Sequence, residues 1–174
     1  MTNLYIKDTN LITSIEKGIK NLVQIFVDAD ACPVKAEIEQ VATRHSLAVF
    51  IVSNGGIRPS QNELVKIIVV AAGPDEADKY IADTLSPGDI VVTADIPLAA
   101  RIIENGGSVI KHNGEVLTEK TIGNSLAMRD LMTELRSSDP FAKQSHKQFS
   151  KSDRSQFLNS FEQLIQQTFK NKNT

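Results

Sequence analysis

Along the chain, short runs of β-branched and apolar residues alternate with segments whose apolar positions recur every three to four residues. Val23 to Val27 reads as a strand, and Pro33, at an expected first helical position, opens a helix to about His45. Leu47 to Ser53 is a second strand, followed by the turn-rich loop "NGGIRPSQNE" and a third strand from Leu64 to Ala71. In "GPDEADKYIADTL", Asp75 is placed to cap a helix whose apolar face carries Ala77, Tyr80, Ile81 and Leu85. "IVVTA" is a fourth strand, Asp95 and Pro97 start a helix that closes at "NGG", and "SVIKH" is a fifth strand. "NGEVLT" is expected to form a turn with a short extension. Helices follow over Thr121–Leu135 and Asp153–Phe169, joined by a polar linker.

Strands that are apolar on both faces and alternate with helices predict a three-layer α/β/α fold around a mostly parallel sheet of about five strands. The expected organisation is an N-terminal extension over 1–22, an α/β domain over 23–136, a polar linker over 137–152 and a C-terminal helix and tail over 153–174 packed on that domain.

Composition changes this picture little. The 174 residues, 41% hydrophobic and 23% charged, suit one globular domain. No apolar run nears the roughly 18 residues that span a bilayer. The first residues lack the apolar stretch and cleavage site of a secretory signal, so no membrane partner and a cytoplasmic location are expected. The single cysteine, Cys32, excludes an internal disulfide and a cysteine-built zinc site. The net charge of −2 hides an asymmetry: from Arg136 onward there are seven Lys/Arg against three Asp/Glu. Such an end can help hold a polyanion, and a solvated helix surface explains the same count.

The candidate chemistry lies just after the strands, where open parallel sheets bind ligands. Asp28 and Asp30 follow the first strand, Ser53 and Asn54 the second, Asp75 and Asp78 the third and Asp95 the fourth. Gathered carboxylates repel and raise one another's pKa, so a cation is expected among them, and hard oxygen ligands select Mg²⁺ or Mn²⁺. Such a layout suits hydrolysis of a phosphodiester, with one ion activating water and a second, about 4 Å away, stabilising the leaving oxygen. Helix capping is the alternative for Asp95 and for Asp75 with Asp78, whose "DEAD" has capping-box spacing. Asp28 and Asp30 are harder to explain in that way, because one turn needs at most one cap and Pro33 already sets the helix start. Beside two aspartates Cys32 reads as a packing residue rather than a reactive thiol. His45, His112 and His146 show no ligand spacing and read as surface or loop residues, unless His112 folds back toward the strand ends.

"IFVDADACPV" also resembles the first motif of haloacid-dehalogenase-type phosphatases. In that reading Asp28 is the nucleophile, Asp30 the acid/base, Ser53 the hydroxyl after the second strand and "GDIVVTAD" the late acidic motif. Cys32 departs from the usual Thr or Val of that motif, and no motif lysine follows.

A longer resemblance is carried by "VDADACPVK" (Val27–Lys35), "GPDEAD" (Gly73–Asp78), "GDIVVTADIPLA" (Gly88–Ala99), "LAMRDLMTELR" (Leu126–Arg136) and "FSKSDRSQF" (Phe149–Phe157). Together they resemble the YaiI/YqxD family of bacterial proteins, usually grouped with PIN-like nuclease domains. The resemblance implies a PIN-like fold in which Asp28, Asp78 and Asp95 hold metal, with Asp30 and Asp75 in support. For the fourth acid of such sites, Asp130 is the nearest candidate; pairing with Arg129 or Arg136 is the alternative. The function implied is a divalent-metal nuclease acting on single-stranded RNA; from their own places after the second strand, Asn54 and Arg58 are the candidates for phosphate contact. The rival from another class is a non-catalytic module that binds nucleic acid or protein.

Overall fold

Ile25, Phe26 and Val27 are successive and all buried, so the strand they form must be covered on both faces. A computed structural model, which describes residues 23–29, 32–138 and 149–172, gives that cover in three layers. The elements in order are β1 (Ile25–Asp28), α1 (Lys35–His45), β2 (Val49–Ser53), β3 (Val65–Val69), α2 (Glu76–Thr84) and β4 (Ile90–Val92), then α3 (Ile96–Glu104), β5 (Ser108–Ile110), β6 (Val116–Leu117), α4 (Glu119–Ser138) and α5 (Lys151–Lys172). The sheet order is β3-β2-β1-β4-β5-β6. All pairs are parallel except β5 with β6.

Alternation along β1 splits the core in two. Ile25 and Val27 pack with Ile38 and Val41 of α1 and with Phe157, Phe161 and Ile165 of α5. Phe26 faces the other way, with Ile81 of α2 and Leu98 and Ile102 of α3. Each of these fully buried side chains contributes about 1.5–3 kcal/mol of transfer free energy, so both helical layers are held chiefly by the central strands.

Three expectations shift. The sheet has six strands, because "NGEVLT" adds the two-residue β6 antiparallel to β5, with Ile110 opposite Val116. Pro33 lies in the turn before α1 rather than at its first position; the helix begins at Lys35, and Val34 at the cap has no side-chain hydrogen bond. Val34 is fully buried, so packing rather than capping fixes that start. The linker is shorter than read, since α4 takes in Ser137 and Ser138 and α5 begins at Lys151. The extension at 1–22 and residues 139–148 of the linker, with His146, lie outside the described residues.

Two polar ties fasten α5 to the domain. Glu162 receives Arg44 at 3.1 Å and faces His45 Nε2 at 2.6 Å, so His45 is a half-buried joint between α1 and α5 rather than a loop residue. Arg154 donates to the Pro33 carbonyl at 3.1 Å and to Glu37 at 2.6 Å, which anchors the turn that follows Asp28.

Candidate functional site

Parallel strands all point one way, so β1, β3 and β4 deliver the residues at their carboxyl ends to one edge. The chain lays down β1, β2 and β3 outward on one side, then returns by α2 to place β4 against the other side of β1. The crevice between the ends of β1 and β4 is therefore the point where connections diverge, the usual ligand position in such sheets.

Asp28 closes β1, and Thr93, buried just past β4, donates its hydroxyl to Asp28 Oδ2 at 3.0 Å. The same Thr93 oxygen accepts the backbone N–H of Asp95 at 3.0 Å. One hydroxyl thus couples the two strand ends. Thr93 escaped the sequence reading as a site residue, although its place two positions before Asp95 at the end of an apolar strand was the available signal.

Asp95 does cap α3, accepting the Leu98 N–H on Oδ1 at 2.8 Å. Capping does not exclude it from the edge, because its carboxylate also lines the acidic cavity. Asp75 behaves otherwise. It occupies the cap position of α2 with left-handed backbone angles, φ 63° and ψ 3°, and makes no side-chain cap. Aspartate tolerates that region better than most non-glycine residues, though still at some cost, and no capping bond offsets it. The "DEAD" capping box is therefore not formed, and both Asp75 and Asp78 face the crevice instead.

Asp28, Asn54, Asp75, Asp78 and Asp95 line one cavity of about 370 Å³, together with Gly73, Pro74 and Ala77. Its electrostatics register at Asp78. Burial first, then the charges of Asp95, Asp28 and Asp75, push that carboxyl from its ordinary 3.8 up to about 6, against a smaller opposing pull from Arg101. The donor set is all oxygen, and the repulsion it carries is what a hard divalent cation would relieve, so the residues fit Mg²⁺ or Mn²⁺ in chemistry. Among the described residues, however, no three His, Cys, Asp or Glu side chains stand as a ready-made ligand set. An ion would have to draw these carboxylates together.

The other candidates fall elsewhere. Asp30 lies outside the described residues. Asn54 joins the acidic cavity, whereas Arg58 is exposed in the β2–β3 loop and does not line it. Asp130 is 71% exposed, pairs with Arg129 at 3.2 Å and does not line the acidic cavity. The Ser53 hydroxyl donates to the Gly55 carbonyl at 3.0 Å and accepts the Gly55 N–H at 3.1 Å, which closes a loop turn rather than presenting a phosphate contact. Cys32 packs against the core beside α1, and burial raises its thiol pKa. His112 lies against the Phe149 ring, 5.8 Å between centroids. Asp89, at the other end of β4 from Asp95, is buried and accepts the N–H groups of Gln24 and Ser86 at 2.9 Å each. It is structural, and it sits at the amino edge of the sheet.

A family model described as "Uncharacterized BCR, YaiI/YqxD family" matches residues 26–167. A UPF0178 protein of Roseobacter denitrificans is 57% identical over 144 residues, 83% of this chain and 95% of the relative. One from Cereibacter sphaeroides strain KD131 is 56% identical over 144 residues, 83% and 89% of the two chains. One from Parvibaculum lavamentivorans is 54% identical over 145 residues, 83% and 95%. No solved structure matches the chain. No helix among the described residues is long and apolar enough to cross a membrane.

Proposed function

The chain belongs to the YaiI/YqxD family, and from the carboxylates at the edge of its sheet we propose that it is a divalent-metal-dependent nuclease of PIN-like type acting on single-stranded RNA. The observation that carries this reading is the convergence of Asp28, Asp75, Asp78 and Asp95 on one cavity, with Asp78 raised to about 6 by its surroundings. Structural carboxylates are normally placed to be satisfied, as Asp89 is. Here Asp75 and Asp78 forgo a capping role and repel their neighbours, an arrangement associated with functional sites.

In this reading Asp28, Asp75, Asp78 and Asp95 hold Mg²⁺ or Mn²⁺, and Asp30 is a further ligand or orients water. When bound, such a cation makes water a better nucleophile at neutral pH and stabilises charge developing on phosphoryl oxygens. The protein's own contribution is placement. Thr93 fixes one oxygen of Asp28, the Leu98 N–H fixes one oxygen of Asp95, and both acids are thereby oriented before substrate arrives. Asn54 supplies an amide within the same cavity for a phosphate or sugar oxygen, and Arg58 would reach the strand from the exposed loop.

The test is cleavage of a labelled single-stranded RNA in Mn²⁺ or Mg²⁺. Wild type is expected to cleave, chelator to stop it, and Asp28→Asn and Asp78→Asn each to abolish it. Cleavage that persists unchanged in both variants overturns the assignment. Absence of cleavage by folded wild type, with RNA still bound, supports the non-catalytic binding module instead.

A further inference from the structure

The acidic cavity has a neighbour of a different character. Asp75, Asp78 and Asp95 also line a second cavity, of about 350 Å³, into which Arg101 of α3 and Arg129 of α4 converge. The two helices pack against each other, and each places a guanidinium beside the same carboxylates.

Local duties account for these arginines only in part. Arg101 lies in the last turn of α3, where a cation offsets the helix dipole. Arg129 bonds Asp130 at 3.2 Å, an exposed pair of adjacent residues that contributes little. Arg101 offsets the charge at Asp78 in small part, but if neutralising the acids were their whole task, the arginines would be paired with them. Yet among the described residues Arg101 forms no ion pair, and the partner of Arg129 is Asp130, which does not line this cavity. Both guanidiniums are exposed and keep donors for a ligand from solution.

A strand of nucleic acid brought to four aspartates is repelled unless positive charge lies close by, and the planar fork of arginine suits phosphate oxygens. We propose that Arg101 and Arg129 form a subsite for a backbone phosphate of single-stranded RNA, next to the phosphodiester held at the carboxylates. The strand then runs from Asn54 across the acids to the α3–α4 side. This inference rests on RNA being the ligand of the carboxylate edge, and it adds the direction of the strand and the residues that grip it.

The experiment is anisotropy of a fluorescein-labelled oligouridylate, titrated with full-length protein over a range of salt. Each phosphate contact on a single strand contributes about 0.7 to the slope of log affinity against log salt. Arg101→Gln and Arg129→Gln are each expected to lower that slope by about 0.7, and the double variant by about 1.4. Put differently, raising salt about fourfold shrinks the wild-type advantage over each single variant by about 2.6-fold. Arg101→Lys and Arg129→Lys keep the charge, so they restore the slope while binding more weakly than arginine; a merely structural role would not sort the variants in this way. Slopes that stay at the wild-type value, or wild type that fails to bind at low salt, overturn the subsite. Cleavage is scored in parallel with Asp28→Asn. Wild type that cleaves while the arginine variants leave the slope unchanged removes the subsite alone, and wild type that binds with the expected slopes without cleaving removes the hydrolytic reading alone.

Discussion

Neutralising Asp78 should make the metal-free protein more stable, although it removes a residue proposed to be essential. The folded protein holds the Asp78 carboxyl at about 6 against an ordinary 3.8, because it is partly buried and faces Asp95, Asp28 and Asp75. An acid whose pKa is raised by folding favours the fold while it is protonated. That contribution is complete below about pH 4 and is lost as pH rises through about 6. Near neutral pH the ionised group therefore works against the fold. Taken whole, the difference between 3.8 and about 6 amounts to about 3 kcal/mol. The side chain is partly solvated and salt screens its neighbours, so the effective cost is about 1 kcal/mol. Asp78→Asn, which keeps the shape and removes the charge, is expected to raise the melting temperature in chelator at neutral pH by about 2–4 °C for a chain of this size. The gain should vanish below about pH 4, where both proteins are neutral at this position. Circular-dichroism melts of the two proteins across that range measure it. A variant that melts at or below wild type near neutral pH, or a gain that persists undiminished in acid, refutes the repulsion argument. Mn²⁺ should reverse the order, stabilising wild type and not Asp78→Asn.

Asp95 separates fold from chemistry by two substitutions: Asp95→Ala should lose about 1 kcal/mol with the cap, whereas Asp95→Asn should keep the cap, and both should lose metal-dependent cleavage; equal urea midpoints for the two variants would contradict this. Gly114 has φ +86°, and a Cβ there would meet backbone atoms of Gln156 at 3.0 Å. Gly114→Ala should accordingly lower stability by about 1–3 kcal/mol by pushing α5 off the domain, and an unchanged urea midpoint would show that contact to be slack. Cys32, its thiol raised chiefly by burial, should react with an aromatic disulfide reagent far more slowly than free cysteine and speed up in urea. Reaction in native buffer at the rate of a free thiol would show the side chain to be accessible.

Much of this arrangement was legible in the chain, for a simple reason. Consecutive parallel strands point the same way, so carboxylates that follow different strands must meet at one edge, and the sequence alone groups Asp28, Asp78 and Asp95. What escaped depends on angles and on helix neighbours. "DEAD" has the spacing of a capping box, and only the left-handed backbone at Asp75 sends its carboxylate elsewhere. "GDIVVTAD" carries two aspartates, and only the length of β4 between them separates the buried Asp89 at the amino edge from Asp95 at the site. Arg58 sits in a loop that looked suited to phosphate, whereas Arg101 and Arg129, 28 positions apart, come together only because α3 packs on α4. β6 has two residues and one antiparallel neighbour, too short for any periodicity to announce it.

The cap at Asp95 also sets the order in which this edge could lose its charge over evolutionary time. Serine and asparagine start a helix about as well as aspartate, so a lineage released from the need for an acid there could drift between them with α3 intact. Asp78 has no comparable refuge, because its ionised form opposes folding and selection for stability alone favours a neutral replacement. A descendant that had abandoned the chemistry would keep this architecture with an uncharged cap at 95 and an uncharged side chain at 78.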